Sequence, residues 1–181
     1  MRKVIFLDRD GTINVEKSYL HKWEDFEFEK NVIDGLKELK KMGYEFIVVT
    51  NQSGIARGYY SEDDLKALNN EMVKELKKHD IDILECHYCP HHPEKGLDQY
   101  KKNCDCRKPN PGMLLEGIKK YNVDIENSFM IGDKKSDLEA GKKAGLKSIL
   151  ILTGYGKNIE DDVKKEYLIG KDLLDISKII K

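Results

Sequence analysis

Short apolar runs alternate along this chain with segments of helical periodicity, and this alternation restricts the possible folds more than any other feature. The first run, Val4–Leu7, ends in Asp8, and Tyr44–Thr50 is a β-branched run of the kind found in buried strands. Further runs of this kind lie at Ile81–Tyr88 and within the stretches SFMIGD and KSILIL. Strands that alternate with helices favour βαβ units. The sequence therefore predicts an α/β fold with a mostly parallel sheet.

Helical segments separate the predicted strands, and several of them carry start and stop signals. Residues Asn31–Met42 place apolar side chains at helical spacing, and Gly43 can end this helix. Ser61, with Asp64 three residues later, forms a capping-box pattern at the start of the next helix. Further helices are predicted from Asn110 and Pro111 onward, over Ser136–Ala144 and over Asp172–Ile180.

Size and charge narrow the possible classes of function. The chain has 181 residues and a mass of 20.9 kDa, which fits one domain over residues 1–181 with a proper core. Its net charge is −1, so no overall field draws it to nucleic acid or to an anionic membrane. The apolar run near the N-terminus is too short for a signal peptide or a membrane span. We therefore expect a cytoplasmic monomer with neither a nucleic-acid nor a membrane partner.

Carboxylates follow two of the predicted strands at the point where each strand ends. Asp8 and Asp10 come directly after the first strand, Asp133 ends the stretch SFMIGD, and Asp137 lies one helical turn later. Open parallel sheets bind ligands beyond the carboxyl ends of their strands, so these groups are expected to meet. Hard oxygen ligands suit Mg²⁺, with waters and a substrate phosphate completing its octahedron. A carboxylate can attack phosphorus once the charge of the phosphate is neutralised, so the pattern indicates phosphoryl transfer.

Donors suited to phosphate oxygens follow the second predicted strand. Thr50 supplies a hydroxyl, and Asn51, Gln52 and Ser53 supply amides and a second hydroxyl. Oriented hydroxyl and N–H donors stabilise the oxygens of a transferring phosphoryl group, and Lys108 adds a positive charge. Each motif alone is common in ordinary turns. Their order and their shared position at strand ends favour a functional site.

All four cysteines and all four prolines of the chain lie in one window between Cys86 and Pro111. In a reducing compartment, such a cluster indicates metal binding or catalysis rather than disulfides. Two ligand sets for a tetrahedral Zn²⁺ are possible there. The first consists of the four cysteines, and the second replaces Cys86 with a histidine. The members of the second set are Cys89, His91, Cys104 and Cys106.

The position of the ligands in the chain favours the second set. Cys86 lies within a predicted strand, where a free cysteine commonly acts as a small buried hydrophobe. The loop over residues 89–106 is irregular and poor in large apolar side chains, so it needs a metal to fold. Zinc with four protein ligands has no open position for catalysis, and its role would be to hold Arg107 and Lys108 over the mouth of the site. We interpret His92 as facing solvent or supporting a ligand.

Four stretches carry a resemblance to a known superfamily. FLDRDGT, VVTNQSG, CRKP and GDKKSD occur in the order found in the haloacid-dehalogenase superfamily of phosphatases, which the chain resembles from Ile5 to about Thr153. Within that superfamily, TNQSGIARG and CDCRKPNPGML are similar to the families of heptose bisphosphate phosphatases and histidinol-phosphate phosphatases. The resemblance implies a Rossmann-like core, with the sheet sandwiched by helices. It also implies hydrolysis in two steps through an aspartyl-phosphate.

The resemblance further implies roles for individual residues. Asp8 would be the nucleophile, and Asp10 would protonate the leaving alkoxide and then activate water. Mg²⁺ would be held by Asp8, by the backbone carbonyl of Asp10 and by Asp133, while Thr50 and Lys108 would stabilise the phosphoryl group. Structural zinc would be bound by Cys89, His91, Cys104 and Cys106, without Cys86. The residues expected to bind the substrate are Glu16, Lys17, Ser18, Tyr19, Thr50, Asn51, Gln52, Ser53, Arg107, Lys108 and Lys134.

Three classes of function compete for these motifs. The first is a Mg²⁺-dependent phosphatase. The second is a zinc-binding interaction or nucleic-acid module, which the net charge and the lack of a basic stripe oppose. The third is a phosphoacceptor that signals through phosphorylated Asp8, which Asp10 opposes because an adjacent acid/base promotes turnover. Within the first class, the long spacing between His91 and Cys104 and the stretch TNQSGIARG resemble the heptose bisphosphate phosphatases more than the histidinol-phosphate phosphatases. This resemblance implies D-glycero-D-manno-heptose 1,7-bisphosphate as the substrate, with histidinol phosphate as the alternative.

Overall fold

The computed structural model describes residues 1–180, and within them six strands form one parallel sheet. The strands are β1 (Val4–Leu7), β2 (Glu45–Asn51), β3 (Ile83–Cys89), β4 (Phe129–Gly132), β5 (Lys147–Ile151) and β6 (Leu168–Gly170). Their order across the sheet is β3-β2-β1-β4-β5-β6, and each neighbouring pair is parallel. This arrangement confirms the predicted α/β fold. The sequence does not predict β6, because three residues are too few to show a period.

Helices connect the strands and cover both faces of the sheet. They are α1 (Val32–Lys41), α2 (Ser53–Ala56), α3 (Glu62–Lys78), α4 (Gly112–Tyr121), α5 (Lys135–Lys143), α6 (Asp161–Glu166) and α7 (Leu173–Ile179), with 3₁₀ turns at Trp23–Asp25 and Gly156–Asn158. The predicted capping box is present, because Ser61 Oγ accepts from the Asp64 N–H and the Asp64 carboxylate accepts from the Ser61 N–H. The short helices α2 and α6 are missing from the prediction. Among residues 1–180, no helix combines the length and apolarity that crossing a bilayer requires.

The alternation of side chains along β1 divides the core between the two faces of the sheet. Ile5 and Leu7 pack on one face with side chains from α1 and α7. Val4 and Phe6 pack on the other face with side chains from α4 and α5. All four are fully buried, as is typical of a parallel sheet covered on both sides. Strand β1 is therefore the centre of the molecule, and the residues that follow it are held by packing on both sides.

The carboxyl ends of the central strands lie side by side. Asp8 follows β1, Asn51 ends β2 and Asp133 follows β4. The backbone N–H of Asp8 donates to the carbonyl of Ile131 in β4 at 2.9 Å, so the ladder continues up to the first carboxylate. The sheet therefore brings the predicted strand-end residues to one edge, which is where open parallel sheets bind ligands.

Candidate active site

Three carboxylates meet at the carboxyl edge of the sheet. Asp8, Asp133 and Asp137 are at most 3% exposed, and each offers an oxygen within 4.8 Å of the others. Burial and the charge of Asp8 raise the pKa of Asp133 to about 8. Carboxylates this close together and this well shielded from water require cations beside them.

Lys108 supplies one such cation. Its Nζ lies 2.9 Å from Asp8 Oδ1 and 2.7 Å from Asp137 Oδ1, and it donates to the Val49 carbonyl at 2.7 Å. Burial by itself lowers the pKa of this ammonium, but the charges of Asp137 and Asp8 outweigh burial and raise it. Asn51 holds the backbone of Lys108, accepting from its N–H at 3.1 Å and donating to its carbonyl at 3.0 Å. Lys108 therefore stays charged beside Asp8.

Asp10 lies next to this cluster, and its carboxylate is held by three neighbours. Arg9 Nη2 donates to both oxygens at 3.0 Å, Asn14 Nδ2 donates to Oδ1 at 3.0 Å, and Gln52 Nε2 donates to Oδ2 at 2.7 Å. Burial alone would raise the pKa of Asp10, but the charge of Arg9 and these hydrogen bonds outweigh it, and the pKa is lowered. Gln52 Nε2 also donates to Thr50 Oγ1 at 2.8 Å. The predicted acid/base and the predicted phosphate donor are thus neighbours.

The acidic cluster fits a magnesium ion. Asp133 Oδ1 is buried and has no hydrogen-bond partner among residues 1–180, whereas its Oδ2 accepts from the Tyr155 N–H at 2.8 Å. A buried carboxylate oxygen without a partner is costly unless a cation binds it. Lys108, together with Lys134 at 3.9 Å from Asp133, balances only part of the charge of three carboxylates. Oxygen donors with residual negative charge are the ligands that Mg²⁺ prefers.

A pocket of about 530 Å³ leads from the surface to these groups. A cavity of about 20 Å³ adjoins it, and Asp8, Thr50 and Asp137 help to line that cavity. The pocket is lined by most residues predicted to bind the substrate, together with Asp10: Glu16, Ser18, Tyr19, Asn51, Gln52, Ser53, Arg107, Lys108 and Lys134. The motifs from separate parts of the chain therefore surround one space.

Four further residues line this pocket that are not predicted as site residues: Tyr60, Pro109, Ser136 and Tyr155, of which Pro109 and Ser136 lie within the quoted motifs CRKP and GDKKSD. Tyr155 lies in the loop after β5, so the strand-end rule that found Asp133 would also have found it. Tyr60 carries no sequence signal of this kind. Its hydroxyl donates to Gln52 Oε1 at 2.5 Å and so orients the amide that contacts Asp10.

Lys17 lies away from the pocket, in contrast to the prediction. Its Nζ donates to the Asp25 carbonyl at 2.8 Å and lies 3.1 Å from the Glu27 carboxylate. The backbone turns at Ser18 and Tyr19, which both have positive φ, so neighbouring side chains of this segment point in different directions. Among the described residues that line the pocket and the adjoining cavity, Lys17 is absent. A direct contact between Lys17 and a ligand is not supported.

Lys134 is a second cation of the pocket lining. Its Nζ lies 3.2 Å from Glu16 Oε2 and 5.1 Å from the centre of the Tyr155 ring. Burial lowers the pKa of Lys134, but the charges of Asp8 and Asp133 outweigh burial and raise it. The ammonium therefore stays charged and can bind an anionic group of a ligand.

Three cysteines and one histidine meet in the chain between β3 and α4. Cys89 Sγ lies 3.6 Å from His91 Nδ1 and 3.5 Å from Cys104 Sγ. Cys106 Sγ lies 3.4 Å from His91 Nδ1 and 3.2 Å from Cys104 Sγ. A hydrogen bond with Cys89 is the main reason that the pKa of Cys106 is lowered to about 5, which favours its thiolate. Three sulfurs and one imidazole at these distances fit tetrahedral Zn²⁺.

Cys86 and His92 lie outside this group. Cys86 packs against the core from within β3, and burial raises its pKa to about 12. His92 Nδ1 accepts from the N–H groups of Glu94 and Lys95 at 3.1 and 3.0 Å, and its Nε2 lies 3.4 Å from Arg57 Nη2. Both ring nitrogens of His92 are therefore engaged. The geometry favours the Cys₃His set over the Cys₄ set.

Hydrogen bonds join the Cys/His loop (residues 89–106) to the catalytic groups. The carbonyl of Cys89 accepts from the backbone N–H of Gln52 at 2.8 Å. Arg107 Nη1 donates to the carbonyl of His91 at 3.0 Å, so the arginine at the pocket is held by a member of the cluster. The loop therefore positions part of the pocket wall.

Comparison with known proteins gives consistent results. The HAD-hydrolase-like family model matches residues 105–176. The chain is 45% identical over 180 residues to D-glycero-alpha-D-manno-heptose-1,7-bisphosphate 7-phosphatase of Photorhabdus laumondii, a match that covers 99% of this chain and 97% of the relative. It is 47% identical over 182 residues to D-glycero-beta-D-manno-heptose-1,7-bisphosphate 7-phosphatase of Haemophilus influenzae, with coverage of 100% and 98%.

A solved structure agrees with the sequence relatives. The crystal structure of D,D-heptose 1,7-bisphosphate phosphatase from B. bronchiseptica, complexed with magnesium and phosphate, matches with a TM-score of 0.83 and 27% identity. The match covers 98% of this chain and 97% of that one. With full-length identity near one half and the same fold throughout, the chain belongs to the D-glycero-D-manno-heptose-1,7-bisphosphate 7-phosphatase family of haloacid-dehalogenase-like hydrolases.

Proposed function

We propose that this protein is a Mg²⁺-dependent phosphatase that removes the C7 phosphate of D-glycero-D-manno-heptose 1,7-bisphosphate, in the biosynthesis of heptose nucleotides for lipopolysaccharide or other surface glycans. One observation carries the proposal. Asp8, ion-paired with Lys108, lies in an acidic cluster at the small cavity that adjoins the 530 Å³ pocket, and Asp10 lines both. A nucleophile, a cation and an acid/base at one pocket are the parts that phosphate ester hydrolysis requires.

In the first step, Asp8 is the nucleophile. One of its carboxylate oxygens forms a bond to phosphorus, and the bond between phosphorus and the C7 oxygen breaks. Lys108 Nζ, 2.9 Å from Asp8 Oδ1, stabilises the charge on the phosphoryl oxygens together with the Thr50 hydroxyl. Asp8, the backbone carbonyl of Asp10 and Asp133 would hold Mg²⁺, which neutralises phosphate charge when bound.

Asp10 transfers protons in both steps. It gives a proton to the C7 oxygen as that oxygen leaves, and it then takes a proton from the water that attacks the aspartyl-phosphate. Attack by water breaks the bond between Asp8 and phosphorus and releases inorganic phosphate. The low pKa of Asp10 keeps it ionised in the resting site. Donation to the leaving oxygen requires the protonated form of Asp10, and the like charge of a substrate phosphate beside the carboxylate favours that form.

The remaining pocket residues bind the sugar and its second phosphate. Arg107 and Lys134 are cations of the lining, and anionic groups of a bisphosphate would pair with them. Ser18, Tyr19 and Ser53 offer hydroxyl groups that suit a polyol. Two cations in the lining, in addition to Lys108 beside Asp8, favour a substrate with two phosphates.

We propose a structural zinc ion on Cys89, His91, Cys104 and Cys106. With four protein ligands it has no free position, so it would take no part in the chemistry. It would instead hold Arg107 through the carbonyl of His91. We further propose that residues 1–181 form one domain and that the protein is a monomer. Sedimentation velocity tests the oligomeric state.

Phosphate release tests the proposed activity and substrate. We expect turnover of heptose 1,7-bisphosphate to exceed that of histidinol phosphate, and excess EDTA to abolish it. Both anomers belong in the assay, since relatives named for the alpha and for the beta sugar match this chain. Faster release from histidinol phosphate would overturn the assignment of the substrate.

Asp8→Asn tests the nucleophile. The amide keeps the shape of the carboxylate but cannot form the aspartyl-phosphate, so phosphate release should fall below detection. Zinc content and the melting temperature should stay close to those of the parent protein. Residual turnover above about 1% of the parent rate would rule out Asp8 as the nucleophile, since loss of a covalent nucleophile costs far more than 100-fold.

A further inference from the structure

Arg9 is a buried cation that lies between Asp8 and Asp10 in the sequence. Its side chain is 0% exposed. Nε donates to Asp10 Oδ1 at 3.3 Å, and Nη2 donates to both oxygens of the same carboxylate at 3.0 Å. A buried guanidinium needs a paired charge and satisfied donors, and Asp10 provides the paired charge.

The other donors of Arg9 reach two separate parts of the fold. Nη1 donates to Asn69 Oδ1 in α3 at 3.1 Å, and Asn69 is itself 5% exposed. Nη2 donates to the backbone carbonyl of Leu20 at 3.1 Å. Leu20 directly follows the segment Glu16–Tyr19, which supplies three residues to the pocket wall. One planar group therefore joins the acid/base, helix α3 and a substrate-facing segment.

This arrangement restricts the Asp10 carboxylate more than an ion pair alone would. A guanidinium presents its donors in a rigid plane, so fixing Nη1 on Asn69 also fixes the directions of Nε and Nη2 toward Asp10. Asn14 and Gln52 restrain the same carboxylate, but neither of them contacts the carbonyl of Leu20. Proton transfer to a leaving oxygen depends on such placement, because small displacements of a catalytic group are costly.

We propose that Arg9 is a positioning residue that holds the Asp10 carboxylate and the substrate-facing segment in one fixed geometry for proton transfer to the leaving oxygen. The proposal rests on the function proposed above, because it assigns to Asp10 the proton transfer of that reaction. Among the described residues, Arg9 itself is neither a member of the acidic cluster nor part of the lining of the pocket, and it acts through Asp10.

A comparison of two leaving groups isolates this role. The alkoxide of a sugar needs a proton as it leaves, whereas 4-nitrophenolate is stable without one. With enzyme in excess over substrate and Mg²⁺ present, rapid quench measures the first release of heptose 1-phosphate or of 4-nitrophenol in a single turnover. Arg9→Lys keeps the charge but loses the planar fork. We expect its first turnover to slow by about 10- to 100-fold for heptose 1,7-bisphosphate, part of the usual contribution of acid catalysis, and by less than about 3-fold for 4-nitrophenyl phosphate.

Asn69→Ala keeps the proposal testable if Arg9→Lys does not fold. Asn69 does not contact Asp10, so this change releases only the far end of the guanidinium, and we expect the same selectivity at a smaller amplitude. Arg2→Lys is the matched control, because Arg2 forms an exposed pair with Glu45 at 2.7 Å. Its rates with both substrates should equal those of the parent protein.

The possible outcomes separate the two proposals. Equal slowing of both substrates in Arg9→Lys and Asn69→Ala, or no slowing in either, overturns the positioning role of Arg9. A parent protein that turns over 4-nitrophenyl phosphate but not heptose 1,7-bisphosphate instead overturns the proposed substrate. Selective slowing with the sugar substrate supports the role of Arg9.

Discussion

At the scale of single residues, the space beside Asp133 does not admit an added side chain. Gly11 has a φ of +86°, and a Cβ built there would lie 2.2 Å from Asp133 Oδ2. Two separate effects therefore forbid a side chain at residue 11. The positive φ disfavours any side chain at residue 11, and the Asp133 carboxylate occupies the space that a Cβ would need.

Gly11→Ala should abolish activity, because Asp133 must move to admit the methyl group and would lose its place in the acidic cluster. Phosphate release as a function of Mg²⁺ concentration measures the effect. Gly43→Ala is the matched control, since Gly43 has the same φ of +86° and its Cβ would lie 4.0 Å from its nearest neighbour, Lys3. We expect that control to lose about 1 kcal/mol of unfolding free energy and no activity. Activity retained in Gly11→Ala would show that Asp133 is not a required ligand.

The success of sequence-based prediction also differs from residue to residue. Asp8 and Asp133 are predictable because a parallel sheet places all its strand ends at one edge, whatever the loops do. The position of the Lys17 side chain is not predictable, because the segment turns at Ser18 and Tyr19. Their positive φ values are not encoded in any periodicity of the sequence. Arg9 shows the same limit, since its burial and partners depend on where α3 packs.

At the scale of elements, the Cys/His loop lacks a core of its own and is held at both ends. At the inner end are the four sulfur and nitrogen atoms of the cluster. At the outer end, the Tyr100 hydroxyl donates to Glu62 Oε1 of α3 at 2.7 Å. The hydroxyl of Tyr88, in β3, donates to the other oxygen of the same carboxylate. The Cys/His cluster and helix α3 therefore both hold this loop.

Cys104→Ser should lose the zinc ion and lower the melting temperature, because serine is a poor zinc ligand and the loop does not fold by packing. Metal analysis of the purified protein and thermal unfolding measure the two effects. Cys86→Ala is the paired control and should keep its zinc, since Cys86 lies in β3 outside the cluster. Zinc lost from Cys86→Ala would favour the set of four cysteines, and zinc kept by Cys104→Ser would mean that Cys104 is not a ligand.

Glu62→Gln should make the stability of the protein less dependent on pH. Hydrogen bonds from Tyr88 and Tyr100 lower the pKa of Glu62, so its ionised form stabilises the fold above its unfolded pKa of roughly 4.3. This stabilisation is lost as pH falls through the lower folded pKa. We expect parent and variant to differ by about 1 kcal/mol or less at pH 7, since Glu62 is partly exposed, and to converge below about pH 4. Urea unfolding at a series of pH values measures this difference, and a gap that widens in acid would contradict it.

The elements that the sequence misses are the short ones. Strand β6 has three residues and α2 has four, so neither completes a pattern from which a period can be recognised. Helix α3, with seventeen residues and a capping box, is predictable from the sequence. Long and capped elements can be recognised from a single sequence. Short elements form because they pack onto the sheet, which the sequence pattern does not show.

At the scale of the whole molecule, contacts between distant parts of the chain tie the structure together. Helix α7, near the C-terminus, packs with α1 against the same face of the sheet, and Gly35 of α1 lies against the backbone of Leu173. A Cβ at Gly35 would lie 2.4 Å from that backbone, so the two helices are in close contact. Side chains of β1 belong to the core on both faces of the sheet, so unfolding of β1 would expose both cores to water.

We therefore expect the protein to unfold in a single cooperative transition. Circular dichroism at far-ultraviolet wavelengths reports on all helices and strands, and fluorescence reports on Trp23, the one tryptophan of the chain. Trp23 lies in the loop after β1 and packs against the core beside Phe26. Coincident urea midpoints from the two probes would support one domain over residues 1–181. An earlier midpoint for Trp23 would show that the loop after β1 unfolds separately.

Gln52 contacts two parts of the structure. Its backbone N–H donates to the Cys/His loop, and its side-chain amide donates to Asp10 and Thr50. On the loop side of this junction the acceptor is the carbonyl of Cys89, and a carbonyl has the same chemistry in every amino acid. A designer could therefore transplant a shorter, metal-free hairpin in place of the Cys/His loop, provided that this acceptor and the carbonyl at residue 91 that holds Arg107 kept their positions. The resulting protein would lack the Cys/His cluster, while Asp10 and Thr50 kept the Gln52 amide that contacts both of them.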